Sequence, residues 1–185
     1  MGKMKKNIRL SKTYIFRLLV ILIFISALMI MRKIEPGFLA HSNGAKMLDM
    51  RFGYDATNVF ELFTTLGVVG RSIYVRYLCD DFIFIASFAI VQNYILEFIM
   101  GKAMLNSKWR VLLAIAYLRA FFDVVENIII LILLNSFPTM LSSLVTLVSS
   151  VTRLKFILLG MWLFAIPTSF IVRVMMRKKE KVEVL

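Results

Sequence analysis

Apolar residues along the chain come in four long blocks that are separated by polar segments. Each block is about as long as, or longer than, the ~20 residues that a helix needs to cross the hydrocarbon of a bilayer. We expect spans at about residues 14–31, 77–100, 111–134 and 154–172, within a single membrane domain covering residues 1–185. Because helices satisfy their own backbone hydrogen bonds in lipid, the pattern predicts an all-α, integral membrane four-helix bundle.

The longest polar segment, 32–76, contains a second, shorter element. Pro36-Gly37 predicts a turn, and "DATNVFELFTTLG" predicts a short helix. Asp55 suits the N-cap of that helix, and Gly67 suits its end, in a left-handed conformation. Such an amphipathic helix is expected to lie on the extracytoplasmic membrane surface, between spans 1 and 2. Its apolar face is formed by Val59, Phe60, Phe63 and Leu66.

The first and last apolar blocks can each be interpreted in two ways. The first follows a basic segment, as in a signal peptide, but no A-x-A-like site follows it, which favours an uncleaved span. The last block, 141–172, is longer than one crossing requires. We expect a polar-sided segment, 141–153, that is interfacial or tilted, and then the crossing at 154–172, with a kink at Pro167.

The distribution of basic residues predicts the orientation. The N-terminal segment, the loop 101–110 and the C-terminal tail hold 5, 3 and 5 Lys and Arg residues, whereas the much longer segment 32–76 holds six of them together with four acids. Cytoplasmic segments carry the excess of Lys and Arg. The chain is therefore expected in the cytoplasmic (inner) membrane with both termini in the cytoplasm, although Arg32 and Lys33 follow the first span on the other side.

Composition excludes several classes of function. Of the 185 residues, 60% are hydrophobic, against about 45–50% in soluble domains. The net charge of +12 is therefore assigned to loops that face anionic lipid headgroups, with no nucleic acid as partner. Cys79 and His41 are the only residues of their kinds, which excludes a Cys/His metal site and a Ser-His triad within one chain. No P-loop or Rossmann turn is present, and no cofactor is expected.

The third span, 111–134, carries an unusual polar stripe. Asp123, Glu126 and Asn127 are spaced i, i+3, i+4, and Arg119 precedes Asp123 by four residues, so all four share one helix face. A charge at the bilayer centre costs at least ~2.5 kcal/mol. The stripe must therefore face protein or water.

The other spans bring partners to the same depth. The second span carries Asp80 and Asp81 near its outer end, and the fourth carries Arg153 and Lys155 there. Pairing of either base with Asp123 or Glu126 would neutralise the buried charges. Deeper in the membrane, Glu97 is expected to meet Arg119 as a secondary pair. These contacts either only hold the helices in register or line a water-accessible pocket that opens outward.

The segment "LDMRFGYDATNVFELFTTLGVVGRSIYVRYLCDDFIF" and the later "FDVVEN" resemble an uncharacterised family of small bacterial four-span membrane proteins. The shared pattern is Gly53-Tyr54, then Gly67 and Gly70-Arg71, then Tyr74, followed by an aspartate (Asp80 or Asp81), the Asp-x-x-Glu-Asn motif and Lys155. The resemblance implies a fold and a common polar cluster, and no activity. The candidate pocket thus comprises Tyr54, Arg71, Tyr74, Asp80, Asp81, Asp123, Glu126, Asn127, Arg153 and Lys155.

Four functions remain open. The pocket can bind a lipid-like or other amphiphilic molecule. Arg71, at the outer side of the cluster, would then donate paired hydrogen bonds to a carboxylate or phosphate headgroup. A membrane enzyme would use Asp123 and Glu126 as acid and base. A proton-coupled transporter with so few spans would need an oligomer, such as a dimer. A structural or regulatory subunit would have no pocket. With any of these functions the expected partners are membrane lipids, and the chain can form an oligomer.

Overall fold

The computed structural model describes residues 12–139 and 141–183, and this part of the chain is helical without strands. The all-α prediction is therefore confirmed for the described residues. The basic N-terminal segment, whose first eleven residues bear on the predicted orientation, lies largely outside them. In chain order the elements are α1 (Lys12–His41), a 3₁₀ turn (Leu48–Met50), α2 (Ala56–Leu105), a second 3₁₀ turn (Lys108–Leu113), α3 (Ala114–Ser136) and α4 (Ser142–Glu183).

Helix α1 continues through the turn that was expected at Pro36-Gly37, so that prediction is wrong. The chain turns only after His41, at Asn43 and Gly44, which both have positive φ. A proline removes one helical hydrogen bond, but tertiary packing holds the last turn of α1 in place. Phe38 is fully buried there, with its ring 5.0 Å from that of Tyr74 on α2.

The short helix expected after residue 55 is the first part of α2. Asp55 caps it as predicted, because its side chain accepts a hydrogen bond of 2.8 Å from the Asn58 backbone nitrogen. Gly67 interrupts the helix with a φ of 58°, as predicted, but its ψ of −170° is extended rather than left-handed helical. Helical geometry resumes at once, so the short helix and the second predicted span follow each other without a loop.

Two arginines satisfy carbonyl groups at the breaks in α2, which has a second interruption at Gly101. Arg71 donates a hydrogen bond of 2.8 Å to the Phe63 carbonyl before the first break. Arg173 of α4 donates one of the same length to the Ile99 carbonyl before the second. Helix ends leave carbonyl groups without helical partners, and basic side chains can serve them.

The last apolar block, which we expected to comprise an entry segment and a crossing, forms a single helix. Helix α4 runs without interruption from Ser142 to Glu183, and Pro167 lies inside it. Ser150 and Thr146 are exposed, yet their hydroxyl groups donate to the carbonyl four residues earlier and so do not end the helix. The segment 141–153, with its polar side, therefore leads directly into the same helix as the predicted crossing at 154–172.

Helix α2 is the centre of the packing. It contacts α1, α3 and α4, and α3 also packs along α4. Two apolar cores form along these contacts. One surrounds Tyr74 and Phe63 near the 42–55 loop, and the other surrounds Met100 and Met104 near the second 3₁₀ turn. A layer of buried polar side chains lies between the two cores, and it contains the candidate site.

Within the described residues, three helical segments are long and apolar enough to cross a membrane: Lys12–His41, Ala56–Lys102 and Ser142–Met176. Helix α3, the third predicted span, is different in composition because Arg119, Asp123 and Glu126 lie within its 23 residues.

Candidate functional site

Asp123 of α3 is held by two cations. Arg119, one helical turn earlier, donates from Nη1 to one carboxylate oxygen at 2.5 Å, and Lys155 of α4 donates from Nζ to the other at 2.9 Å. All three residues are buried, with no more than 9% of their surface exposed. Charges that leave water need close opposite partners and hydrogen bonds. The predicted pairing of α3 and α4 through Asp123 is therefore present.

Glu126 forms the second contact of Lys155, whose ammonium group lies between the two carboxylates. The Thr152 hydroxyl donates to the other oxygen of Glu126, and the Tyr54 hydroxyl donates to Thr152 Oγ1 at 3.3 Å. Burial raises the pKa of Tyr54, so its hydroxyl group is a neutral donor. The predicted proximity of Glu126 and Lys155 is confirmed, and a chain of hydroxyl groups connects them to the 42–55 loop.

Asp81, not Asp80, faces the polar layer. Asn127 donates from Nδ2 to an Asp81 carboxylate oxygen at 2.7 Å, which connects α3 to α2. Asp81 is 5% exposed, whereas Asp80 is half-buried and makes no hydrogen bond or ion pair with the described residues. The choice that the sequence left open is decided by the helical rotation of about 100° between neighbouring residues.

Asp49, in the first 3₁₀ turn, is a buried acid that sequence reasoning missed. Tyr74 donates its hydroxyl hydrogen to an Asp49 carboxylate oxygen at 2.8 Å and accepts a hydrogen bond of 3.0 Å from the Leu48 backbone nitrogen. Burial raises the pKa of the Asp49 carboxyl, against the opposing influence of the nearby Lys155 ammonium group. In the sequence, the burial of Asp49 is indicated only by its position between two apolar residues, Leu48 and Met50, within a polar segment.

The expected pair of Glu97 and Arg119 does not form. Arg119 donates from Nε to the Gln92 side-chain oxygen at 3.0 Å, and Glu97 pairs instead with Arg17 of α1 at 3.1 Å. Glu97 follows Gln92 by five positions, which is about 7.5 Å along a helix. Glu97 therefore lies too far toward the end of α2, where α1 supplies its partner.

Arg71 and Arg153 are also outside the ionic cluster. Arg71 caps the first part of α2 and lies over the Phe137 ring, with 4.6 Å between its guanidinium carbon and the ring centroid. Arg153 is exposed and donates to Ser149 Oγ at 3.4 Å. Of the two bases offered by α4, Lys155 therefore pairs with the buried acids and Arg153, on the outer face of the helix, does not. Arg71, which was expected above the cluster as a headgroup ligand, donates to the Phe63 carbonyl at the first break in α2.

A pocket of about 340 Å³ opens beside the ionic cluster. That volume is within the roughly 300–1,000 Å³ range of small-molecule sites. All four helices and the first 3₁₀ turn contribute to its wall. Its charged lining is Arg32, Glu35, Asp49, Asp81, Arg119, Asp123 and Lys155, and its apolar lining is Leu28, Met31, Met50, Tyr77, Phe84, Phe88, Phe156 and Leu159.

The pocket lies between α1 and α4. Helix α1 packs against α2, and α4 packs against α2 and α3, but α1 and α4 share no extensive interface. Leu28 of α1 and Phe156 of α4 line the pocket and are themselves partly exposed. The pocket is therefore open to the side of the molecule, where the helices present apolar surfaces.

The charges around the pocket are not all matched. Arg119 and Lys155 face Asp123 and Glu126, and Arg32 pairs with Glu35 at 3.1 Å near the surface. Asp49 and Asp81 remain, each with one hydrogen bond from a neutral donor and no ion pair with a cation of the described residues. The arrangement thus leaves two carboxyl groups at the pocket that can take a proton, a cation or a hydrogen-bond donor.

No known protein family, curated protein sequence or solved structure matches the chain. The resemblance to small bacterial four-span proteins stays a prediction.

Proposed function

We propose that the protein crosses the membrane four times, with α3 as the third span in chain order. The support is the distribution of polarity around α3. Its charged residues are buried against α2 and α4, whereas its outer face is apolar. A helix that turns ionisable groups toward protein and apolar groups toward lipid can remain in a bilayer. The exposed apolar residues of α3 include Tyr117, Leu118, Phe121, Ile128 and Ile132.

The same proposal places the chain in the cytoplasmic membrane with both termini in the cytoplasm. The basic loop 101–110 and the C-terminal tail then lie on the inner side. The 42–55 loop and the first part of α2 lie at the outer surface, where the apolar side chains of a short amphipathic helix can enter the headgroup region. The candidate site then faces the outer leaflet.

We further propose that the pocket binds a lipid-like molecule by its headgroup. The observation that carries this proposal is the mixed lining of one cavity, with buried charges on one side and Leu28, Phe84, Phe88 and Phe156 on the other. Ligand pockets are lined mainly by apolar side chains with a few placed polar groups. An amphiphile entering sideways between α1 and α4 would keep its chain against apolar surface while its headgroup reaches the cluster.

Blocking the pocket mouth tests this function. Leu28→Trp places a large ring at the mouth, whereas Ile30→Trp is a matched control on the same helix that does not line the pocket. The two side chains are 37% and 44% exposed, so both rings can be accommodated at the surface. Native mass spectrometry of the purified protein is expected to show co-purifying lipid with the wild type and Ile30→Trp, and much less with Leu28→Trp. Equal lipid in all three would overturn the proposal.

A structural or regulatory membrane subunit is the second candidate. It is favoured by one observation: Asp123, Glu126, Arg119 and Lys155 neutralise one another within the chain. Polar contacts of this kind hold membrane helices together without any ligand. Glu126→Gln and Leu28→Trp together separate the two functions, because Glu126 pairs with Lys155 but does not line the pocket. Loss of thermal stability in Glu126→Gln, with equal lipid in the wild type and Leu28→Trp, supports the subunit. Loss of lipid from a folded Leu28→Trp supports the pocket.

A further inference from the structure

The headgroup chemistry can be inferred from Asp49 and Asp81, the pocket carboxyl groups that form no ion pair with any cation in the described part of the chain. Asp49 and Asp81 approach the pocket from different elements, the first 3₁₀ turn and α2. Each is at most 7% exposed and accepts one side-chain hydrogen bond, Asp49 from Tyr74 and Asp81 from Asn127. A carboxylate has about four lone-pair positions, so both groups have acceptor capacity left for a ligand.

Arg119 supplies a donor in the same pocket. It lines the wall, is 4% exposed, and uses Nε on Gln92 and Nη1 on Asp123. Its Nη2 has no hydrogen-bond partner among the residues that the structure describes. Buried donors are normally paired. The guanidinium group lies over the Phe88 ring, 4.7 Å from its centroid, so the pocket wall carries a positive charge that suits a ligand with a negatively charged oxygen group beside its cation.

On the basis of the proposed lipid-binding function, we propose that the ligand is an aminophospholipid, whose primary ammonium group binds between Asp49 and Asp81 and whose phosphate lies on the side of Arg119. A primary ammonium has three N–H donors, enough to reach both carboxylates. A quaternary ammonium has none, and a glycerol headgroup has no positive charge to balance the two acids. The aromatic wall of Phe84, Phe88 and Phe156 would contact the lipid chains.

Lipid titration followed by native mass spectrometry tests the headgroup. The delipidated full-length protein is offered phosphatidylethanolamine, phosphatidylcholine or phosphatidylglycerol with identical acyl chains, and free O-phosphoethanolamine in a parallel series. A hydrogen bond to a charged group contributes about 1.5–3 kcal/mol, so phosphatidylethanolamine is expected to bind on the order of 10- to 100-fold more tightly than phosphatidylcholine. Binding of O-phosphoethanolamine as tight as that of the lipid would assign the site to the free headgroup and overturn the lipid assignment.

Asp81→Asn is the informative variant, with Asp80→Asn as its control on the same helix. The control is expected to keep the preference for phosphatidylethanolamine, and Asp81→Asn is expected to lose it. If Asp81→Asn does not fold, Asp49→Asn takes its place, and the wild-type comparison of lipids stands by itself. Equal binding of the three lipids to the wild type would overturn the headgroup inference and leave the lipid pocket intact. Binding of none of them would overturn the proposed function.

Discussion

The side chains of Asp123 and Lys155 meet at 2.9 Å although 32 residues separate them in the chain. This contact connects α3 to α4 in the buried layer, and Arg119 occupies the other oxygen of the same carboxylate. A carboxylate with two buried cations cannot be removed without leaving charge in an apolar surrounding. Loss of the Asp123 charge is therefore expected to destabilise the fold.

Asp123→Ala is expected to destabilise the protein strongly. Arg119 and Lys155 would then face Glu126 alone, and breaking a buried pair costs about 3–5 kcal/mol. Thermal unfolding in detergent measures the effect as a lower midpoint temperature. The control is Asp80→Asn, since Asp80 is outside the cluster, and its midpoint is expected to stay near that of the wild type. Equal midpoints for both variants would show that the ionic contacts carry no stability.

Exchanging the charges of Glu126 and Lys155 tests their proximity in solution. Glu126→Lys places three buried cations around Asp123, and Lys155→Glu places three buried acids around Arg119, so each single change is expected to lower the yield of folded protein. The double variant restores an ion pair and is expected to recover part of the loss, because neighbouring residues are energetically coupled. Size-exclusion profiles and unfolding midpoints measure the recovery. A double variant that behaves worse than both single variants would contradict the contact.

Gln92, the observed partner of Arg119, is expected to contribute more to the stability of the fold than Glu97 does. Gln92→Leu removes the acceptor of the Arg119 Nε hydrogen bond, and a buried unsatisfied donor costs about 1–3 kcal/mol. Glu97→Gln breaks only the Arg17 pair, whose side chains are 44% and 33% exposed, and less than about 1 kcal/mol is expected there. Unfolding midpoints of the two variants give the comparison. A larger fall in the unfolding midpoint for Glu97→Gln than for Gln92→Leu would contradict this result and favour the Glu97–Arg119 pair that the sequence predicted.

Gly70→Ala is expected to separate α1 from α2. A Cβ at this position would lie 2.8 Å from His41 Cβ and 2.9 Å from a Leu66 methyl carbon. Overpacking of this kind costs about 1–3 kcal/mol. The matched control is Gly160→Ala in α4, where the added carbon would have no described neighbour within 4 Å beyond the adjacent residues and backbone of its own helix. Alanine is expected to be neutral there or to stabilise by up to about 1 kcal/mol. Thermal unfolding of the pair distinguishes close helix contact from a general effect of alanine.

Asp49 is expected to make stability depend on pH. Burial raises its pKa in the folded chain, so between the unfolded and folded values the folded state binds more protons. Stability from this group is therefore highest at low pH and falls as pH rises through that window. Asp49→Asn is expected to remove this slope, so that the variant gains stability relative to the wild type with rising pH. Parallel unfolding curves from about pH 4 to pH 8 would contradict the assignment.

Local and compositional features were predictable from the sequence. The helical class, the long apolar segments and the Asp55 cap depend on hydrophobic period and on neighbouring residues, which the sequence contains directly. The shared face of Arg119, Asp123, Glu126 and Asn127 follows from helical geometry alone. The meeting of Lys155 with Glu126 was also predictable, because a buried acid in a long apolar helix needs a cation at the same depth, and the fourth span offers few.

Only the tertiary structure decided the rest. In the folded chain Asp81, not Asp80, faces the buried cluster, and Glu97 pairs with Arg17. Arg71 and Arg153 make their contacts outside the cluster. Asp49, from the first 3₁₀ turn, is buried beside it. These outcomes depend on how each helix is rotated about its axis and where it ends against its neighbours. Burial of Phe38 held α1 helical beyond Pro36, where local propensity indicated a turn. A sequence determines which side chains need partners, but rotation and axial shift of packed helices determine which partners lie within reach.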